Sequence, residues 1–428
     1  MPASPPVARS LQSCDVEPSF TPAIFNHAID KRRNTGMVEE TVLSLSYGRI
    51  VIKPPEKLTG LVPASFETYQ VMKPGDIVIR TTNLQNDWTS LRVGLVKDPG
   101  IITSAYAGLQ PTERYSPEFL YYLLHSYDTK KVFYGMGSGL RQNIGFDDFK
   151  WLPFICPSRP EQDAIVAYLD GMLEAIDRYL RVKEREIALM EERKRALIHR
   201  AVTRGLDANP QLQPSGRIWP DFIPHHWRIA PLYARYDVQL GKMLDAKKIS
   251  GLHLQPYLRN TDVQWDSINV IDLPQMDFRP DEWLRYRLQT GDILVCEGGQ
   301  PGRAAIWRGD LGPCFYQKAL HRLRPRTSDD VPGFFFYVLF SAVSEEVFAM
   351  GTEKATISHL TGQQLRRFRF PFPPESEQRE IVDFLDAEVE KIDTTIARAR
   401  RQIERMQEYR SALIAEAVTG KIDVNAAS

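Results

Sequence analysis

Few residues of this 428-residue chain have the type and spacing that catalysis or tight metal binding requires. Residues 298–303 are glycine-rich, but they lack the Gly-Lys-Ser/Thr sequence of a phosphate loop and open no predicted helix. His225 and His226 are adjacent, yet no acidic or histidine partner lies at ligand spacing, so a turn is the simpler interpretation. No Cys-x-x-Cys pair is formed by the four cysteines, which are Cys14, Cys156, Cys296 and Cys314. We therefore expect no metal site.

Residues 133–137 read Phe-Tyr-Gly-Met-Gly, which fits the Phe-x-Gly-x-Gly loop that binds S-adenosylmethionine in methyltransferases. That loop should follow a strand and be accompanied by an Asn/Asp-Pro-Pro-aromatic tetrapeptide. Here it follows a predicted helix, and the chain contains no such tetrapeptide. We expect a protein that is not an enzyme and has no cofactor of its own. A stand-alone DNA methyltransferase with a degenerate cofactor loop stays open as an alternative.

The composition is that of a soluble globular protein with two or three domains, since 43% of the residues are hydrophobic and 25% charged. The 54 basic and 54 acidic residues cancel, so charge alone does not predict a nucleic-acid partner. No apolar stretch is long enough to cross a bilayer, and the first seven residues lack a signal pattern. Together with the scattered cysteines, these features predict a cytoplasmic protein.

One stretch of the chain occurs twice. Residues 161–207 and 377–423 align without a gap at an offset of 216 positions, and 19 of the 43 aligned pairs from 161 to 203 are identical. The identical pairs include Glu-Gln at the start of each copy, then Leu-Asp, then Ile-Asp. A repeat of this length determines the architecture before any local motif does.

Both copies have the 3-4 spacing of apolar residues that is typical of a coiled-coil seam. The seam is interrupted at Lys183 and Lys194 in the first copy, and at the same two positions, Ala399 and Arg410, in the second. Each copy predicts a helix of about 40 residues, roughly 60 Å long, and we expect the two to pair. The seam residues that we expect to form the spacer and docking helices are Leu169, Ile176, Leu180, Ile187, Met190 and Leu197, then Leu385, Ile392, Ile396, Ile403, Met406 and Leu413.

The segment before each helix reads as a mixed α/β domain. Strands are predicted at 41–45, 50–52, 77–79 and 101–105 and a helix at 117–127, and residues 293–295 and 334–340 repeat part of this order. The predicted fold class is α+β: two mixed α/β domains separated by two long helices that pair as an antiparallel coiled coil, with a pseudo-twofold internal repeat. The expected segments are a first domain at 1–157, a long helix at 158–205, a linker at 206–218, a second domain at 219–374, a long helix at 375–419 and a tail at 420–428.

This layout resembles the specificity (S) subunits of type I restriction–modification systems. The resemblance rests on Pro-Ser-Arg-Pro-Glu-Gln at 157–162, Pro-Pro-Glu-Ser-Glu-Gln at 373–378, and Leu-Ile-x-x-Ala-Val-Thr at 197–203 and 413–419. Gly-Asp-Ile-Leu-Val at 291–295 and Ile-Pro-x-x-Trp at 223–227 are similar too, although the first domain lacks the latter start. A second alternative, besides the stand-alone methyltransferase, is a purely structural coiled-coil scaffold.

The resemblance implies a non-catalytic subunit that recognises double-stranded DNA. Each domain would be a target recognition domain for one half of a bipartite, asymmetric site. The helices would set the spacing and dock two methylation (M) subunits, which bind S-adenosylmethionine and methylate adenine. Where the system restricts, two restriction (R) subunits would add ATP-driven translocation and cleavage, with ATP and Mg²⁺ bound on those subunits. No membrane partner is implied.

Direct readout of bases needs Arg, Lys, Asn or Gln on loops that enter a groove. In the first domain the candidates are Arg80, Asn83, Arg92, Arg141, Gln142 and Asn143. In the second they are Lys242, Arg259, Asn260, Gln300, Arg303, Lys318 and Lys354. Residues 1–158 carry 16 basic and 15 acidic residues, and residues 219–374 carry 19 and 17. Net charges of +1 and +2 predict weak DNA binding by the chain alone.

Overall fold

A computed structural model describes residues 25–26, 41–54, 56, 66, 69–84, 87–136, 143–145, 148, 157–217, 219–243, 250–349 and 359–424. The chain divides into two compact units: unit 1 comprises Met1–Lys183 and Arg400–Ser428, and unit 2 comprises Glu184–Ala399. Both boundaries fall inside long helices, so each unit contains the first part of one helix and the last part of the other. Among the described helices, none is long and apolar enough to cross a membrane.

Unit 1 is built on a four-stranded antiparallel sheet with the order β1-β8-β5-β6, next to a β2–β3 hairpin and a β4–β7 pair. Its strands are β1 (Phe25–Asn26), β2 (Leu43–Ser46), β3 (Arg49–Ile52), β4 (Gln70–Met72), β5 (Ile77–Ile79), β6 (Val93–Leu95), β7 (Gly100–Ile102) and β8 (Ala107–Pro111). Helix α1 (Pro117–Thr129) covers the sheet, and the long helix α2 (Arg159–Arg204) follows.

Unit 2 repeats this sheet strand for strand, with the order β12-β20-β17-β18. Its strands are β9 (Leu212–Pro214), β10 (Phe222–Pro224), β11 (Arg228–Pro231), β12 (Tyr236–Leu240), β13 (Leu254–Leu258), β14 (Val263–Gln264), β15 (Ser267–Ile268), β16 (Gln275–Asp277), β17 (Ile293–Cys296), β18 (Ala304–Ile306), β19 (Phe315–Tyr316), β20 (Leu320–Pro325) and β21 (Arg369–Phe372). Its helices are α3 (Leu232–Arg235), α4 (Trp283–Tyr286), α5 (Pro332–Ser344), α6 (Gly362–Arg367) and α7 (Glu375–Val418). The predicted α+β class and internal repeat are confirmed.

The central strand of each sheet is buried on both faces. In β5, Ile77 and Ile79 belong to the cluster under α1, whereas Val78 packs on the opposite face with Leu43 and Met72. In β17, alternate residues divide in the same way between two clusters. Because side chains alternate across a strand, a strand covered on both sides has no polar positions. This explains the uninterrupted apolar sequence of both strands.

The two long helices pack against each other within each unit. In unit 1, Leu169 and Ile176 of α2 share a cluster with Leu413 and Ala417 of α7. In unit 2, Val202 near the end of α2 shares a cluster with residues near the start of α7. The pairing is therefore antiparallel, as predicted. Every predicted seam residue is buried or half-buried.

One of the two repeated interruptions of the seam is an ion pair in both units. Lys194 Nζ lies 2.6 Å from Asp393 Oδ2 in unit 2, and Arg410 Nη1 lies 2.6 Å from Asp177 Oδ1 in unit 1. Asp177 and Asp393 are the acidic residues of the repeated Ile-Asp pair. In both units, the basic residue at this interruption of the seam thus pairs with the aspartate of the Ile-Asp repeat on the other long helix.

The repeated Glu-Gln pair joins each sheet's covering helix to a long helix. The Gln162 side chain is fully buried and accepts a hydrogen bond from the Ser116 N–H at the start of α1, at 2.8 Å. Gln378 accepts from the Val331 N–H at the start of α5, at 2.9 Å. Each amide also donates to a proline carbonyl just before its own helix. The motif is therefore repeated because the same junction is built twice.

The repeated Leu-Asp pair supplies a second fixed point at the same junction. Tyr122 on α1 donates its hydroxyl to Asp170 Oδ1 at 2.5 Å, and Tyr337 on α5 donates to Asp386 Oδ1 at 2.6 Å. Burial, followed by the neighbouring carboxylate, raises the pKa of both tyrosine hydroxyls. Both remain protonated donors at neutral pH, so each covering helix is held at its start and along its length.

Reversal of one charge in the unit 2 ion pair should lower stability, and reversal of both should recover it. We expect Lys194→Asp to lower the free energy of unfolding, with a coupling of roughly 0.5–1 kcal/mol because both side chains are partly exposed. Thermal unfolding of Lys194→Asp, Asp393→Lys and the double variant measures this coupling. The same cycle at Asp177 and Arg410, the equivalent pair in unit 1, should give a coupling of the same sign. A double variant no more stable than either single variant would refute the pairing.

Candidate nucleic-acid interface

Three loops meet at one end of the unit 2 sheet: those that follow β12, join β17 to β18, and precede β20. The Lys318 N–H donates to the Lys242 carbonyl at 2.9 Å, and the Gln317 N–H donates to the Leu258 carbonyl at 3.1 Å. The loop that follows β12 can lie this close to the segment before β20 because residue 241 is glycine. A Cβ at Gly241 would lie 2.2 Å from the Gln317 carbonyl oxygen. Of the seven candidate base readers in this unit, the structure brings six together, named here the unit 2 loop surface: Lys242, Arg259, Asn260, Gln300, Arg303 and Lys318.

Two of these six residues hold the glycine-rich loop in place. Asn260 Nδ2 donates to the Gly298 carbonyl at 2.9 Å, and Arg303 Nη2 donates to the Asn260 carbonyl at 3.0 Å. Gly299, with φ of 75°, is packed so closely that an added Cβ would lie 3.2 Å from Asn260 Nδ2. Asn260 and Arg303 therefore stabilise the conformation of the glycine-rich loop.

Two other residues of the unit 2 loop surface are paired with carboxylates. Lys242 Nζ lies 2.6 Å from Glu282 Oε2, and Arg259 binds both oxygens of Asp262, at 2.9 and 2.7 Å. The remaining two, Gln300 and Lys318, are exposed. Gln300 and Lys318 are thus the members of this surface best placed to contact bases directly.

Unit 1 places three of its candidates around the loop that joins β5 to β6, the counterpart of the β17–β18 loop. Asn83 adopts a left-handed backbone, with φ of 62°, and its N–H donates to Asn143 Oδ1 at 3.1 Å. Arg80 is half-buried and forms an ion pair with Asp87 at 3.0 Å. Asn143 itself is exposed. Three further predictions, Arg141, Gln142 and Lys354, lie outside the described residues.

Arg92 requires a correction, because it was predicted to read bases and its side chain is fully buried. Its guanidinium donates to the carbonyl oxygens of Thr82, Asn83 and Asp87 at 2.9, 3.1 and 2.8 Å. Its Nε donates to the Tyr134 hydroxyl at 3.0 Å. Five donors in a rigid fork suit several carbonyls of one loop. Arg92 therefore shapes the β5–β6 loop from inside.

Arg92 and Arg303 occupy the same place in the repeated hairpin. The Arg80 N–H donates to the Arg92 carbonyl and the Cys296 N–H to the Arg303 carbonyl, both at 2.8 Å, and Arg80 and Cys296 are 216 positions apart. The ungapped alignment of the repeat pairs Arg92 with Arg308 instead, because the β5–β6 loop is longer than the β17–β18 loop. The sequence interpretation missed the carboxylate partners of Arg259 and Lys242. Asp262 had a signal in Arg-x-x-Asp at 259–262, whereas Glu282 lies far from Lys242 in the sequence and had none.

Two aromatic residues of the Phe-x-Gly-x-Gly stretch also support the β5–β6 loop. Phe133 and Tyr134 lie in a short 3₁₀ helix, Val132–Gly135, that follows α1. Phe133 is fully buried, and the Tyr134 hydroxyl donates to the Asp87 carbonyl at 2.7 Å. Packing and loop support account for both aromatic residues. Within the described residues, no group of three His, Cys, Asp or Glu side chains could hold a metal ion.

Asp277 fixes the segment that returns to the unit 2 loop surface after Lys242. Its carboxylate accepts the N–H groups of Ser250, Gly251 and His253, the last two at 2.9 and 2.8 Å. These backbone hydrogen bonds, led by that of His253, lower the pKa of Asp277 from 3.8 to about 2. The carboxylate is therefore ionised at any physiological pH.

Comparison with known proteins shows which family this chain is similar to. Residues 284–405 match the family described as type I restriction modification DNA specificity domain. The putative type I restriction enzyme MjaX specificity subunit of Methanocaldococcus jannaschii is 24% identical over 202 residues, which cover 46% of this chain and 46% of that protein. The EcoKI specificity subunit of Escherichia coli K12 is 22% identical over 286 residues, covering 65% of this chain and 60% of that protein. The first of these matches thus spans about half the length of the relative.

Solved structures extend the likeness to nearly the whole chain. A chain from a structure on complex assembly and conformational transition of the type I R-M system has a TM-score of 0.69 at 17% identity, covering 90% of this chain and 92% of that chain. The HsdS subunit of Thermoanaerobacter tengcongensis has a TM-score of 0.50 at 17% identity, covering 90% and 91%. The resemblance to type I specificity subunits that the repeat indicated is therefore confirmed.

If Arg92 is a structural residue, its conservative replacement should act on stability. We expect Arg92→Lys to destabilise unit 1 by about 2–4 kcal/mol, because one ammonium cannot satisfy the carbonyls that the guanidinium binds. A lower midpoint of thermal unfolding measures this loss. Arg49→Lys, at a side chain 72% exposed, is the control. If Arg92→Lys leaves stability unchanged and alters the base preference, Arg92 contacts bases after all.

Asp277→Asn should destabilise the chain in a pH-dependent way. The pKa of Asp277 is lower in the folded than in the unfolded state, so its stabilising contribution is complete above pH 4 and is lost as the pH falls towards about 2. The gap in unfolding temperature between wild type and Asp277→Asn should therefore be constant near neutrality and close below pH 4. Asp281→Asn, at a 67% exposed side chain, is the control. A gap that stays constant down to pH 2 would contradict the assignment.

Proposed function

We propose that this chain is the DNA-reading subunit of a type I restriction–modification complex. Each unit contributes one recognition domain to a bipartite, asymmetric DNA site, and neither domain is catalytic. Methylation subunits supply S-adenosylmethionine and adenine methylation, and restriction subunits, where present, supply ATP-driven cleavage.

The observation that carries the proposal is one sheet built twice with different loops at the same end. The strand order is the same in both units, whereas the β5–β6 loop at 80–92 and the β17–β18 loop at 297–303 differ in length and sequence. A common scaffold can present both loops to DNA in the same manner. Because the exposed side chains differ, the two half-sites would differ in sequence, which gives an asymmetric site.

The long helices suit the other half of the proposed role. Their seam residues are taken up by the pairing, while charged side chains such as Glu184, Arg185, Glu192, Arg193 and Arg195 are exposed. We infer that these outer faces dock two methylation subunits. The antiparallel pairing repeats the same helix surfaces, so two copies of one partner would find equivalent sites.

Methylation mapping in cells tests this proposal. The chain is expressed with its methylation subunit in a host free of other adenine methylation, and the modified positions are sequenced. We expect a bipartite motif. The double variant Gln300→Ala, Lys318→Ala should relax the base requirement in one half-site only, and Asn143→Ala should relax it in the other, each typically by about 1–3 kcal/mol per contacted base pair.

The control is the double variant Arg217→Gln, Arg228→Gln, which removes two exposed charges from unit 2 outside the loop surface. It should leave the motif unchanged. A motif that none of the variants alters would contradict the assignment of the loops. Methylation by the chain without a methylation subunit would favour the stand-alone methyltransferase instead.

A further inference from the structure

A basic groove lies beside the unit 2 loop surface and was not among the predicted contacts. It is open to solvent, has a volume of about 510 Å³ and is lined by three arginines, Arg285, Arg366 and Arg367, together with Tyr233 and Leu240. We name it the arginine groove. We propose that it binds the phosphate backbone of DNA that the neighbouring loops read. This inference rests on the proposed function and adds a positioning site to it.

Arg285, Arg366 and Arg367 are all exposed residues. Among the described residues, no carboxylate lies within ion-pair distance of any of them. Arg285 stacks over the Tyr286 ring, and Arg366 donates to the Val238 carbonyl. The carboxylate of Asp237, on the adjoining strand β12, is already bound by Arg322. Three such charges on one concave surface attract an anion with spread charge, as a phosphodiester chain has.

The groove is continuous with the unit 2 loop surface on two sides. On one side, Leu240 of the groove wall is followed after one residue by Lys242. On the other, the segment that enters α6 is hydrogen-bonded to the glycine-rich loop, since Leu360 N–H donates to the Glu297 carbonyl at 2.7 Å and His359 pairs with Gly298. A duplex whose bases meet Gln300 would therefore carry its backbone towards the groove. This continuity favours DNA over an acidic protein surface.

The basic residues of the unit 2 loop surface and those of the arginine groove differ in their ion pairing. On the loop surface, Lys242 and Arg259 are paired with carboxylates at fixed distances, which orients them but lowers their attraction for any phosphate. In the groove, the arginines have no ion-pair partner among the residues that the structure describes, so they can neutralise DNA phosphates whatever the base sequence. Phosphate contacts position a protein on DNA, whereas base contacts specify the sequence. The groove would therefore increase the affinity for DNA without any preference for a base sequence.

Salt-dependent binding by the full chain in complex with its methylation subunit tests this inference. The groove variant Arg285→Gln, Arg367→Gln is compared with the control Arg217→Gln, Arg228→Gln, which removes the same charge, on the cognate duplex and on an unrelated one. We expect the groove variant to lose roughly tenfold in affinity for both duplexes, and its plot of log K against log salt to flatten by about 1.8, or 0.9 per lost contact. The control should keep the wild-type slope.

The outcomes separate the two proposals. Wild-type complex that does not distinguish the duplexes would refute the proposed function. Wild-type complex that does, together with a groove variant of unchanged slope and affinity, would overturn the groove alone. The same holds if the groove variant changes the methylated motif, or if size-exclusion chromatography shows that it fails to assemble with the methylation subunit. Equal unfolding temperatures for groove variant and control confirm that the comparison concerns binding.

Discussion

The attachment of each sheet to the helix pair depends on one buried amide. Gln162 and Gln378 both have oxygen and nitrogen hydrogen-bonded where water is excluded. An amide buried without partners would cost about 1–3 kcal/mol, so the helix start, the preceding proline and the covering helix must keep one arrangement together. This constraint explains why the Glu-Gln pair survives in both copies while the sheets in front of it share little sequence. With the junction fixed, the loops at the sheet end can differ without disturbing it.

Those loops are shaped from within by an arginine at the same hairpin position. Arg92 binds several carbonyls of a long loop, whereas Arg303 binds one carbonyl beneath a short, glycine-rich loop. A guanidinium can satisfy carbonyls in many arrangements, because it carries five donors in one plane. One residue type at one position can therefore support loops of unequal length.

Most of the architecture could be predicted from the sequence because its signals are periodic. Apolar spacing gave the long helices, and the short apolar runs at 77–79 and 293–295 gave the buried central strands. The ion pairs at Lys194 and Arg410 were visible as repeated interruptions, although their partners were not recognised. Arg92 was misjudged for a physical reason. Its partners are backbone carbonyls of a folded loop, and these have no sequence signature that separates a buried arginine from an exposed one. The arginine groove was missed because Arg285 and Arg366 are distant in sequence and meet only through the sheet.

The neutral composition of the chain is compatible with DNA recognition once the placement of charge is considered. A surface with a large excess of cations would bind any duplex and be held on unrelated sequences. Here the cations nearest the candidate readers are compensated by Glu282 and Asp262, so a wrong duplex gains little from that surface. A matching duplex would add base contacts with the exposed side chains of Gln300 and Lys318, which a wrong duplex would not make. Under the proposed function, the carboxylates would contribute to specificity by weakening the phosphate attraction that all DNA sequences share. Affinity would then come from the arginine groove and from partner subunits.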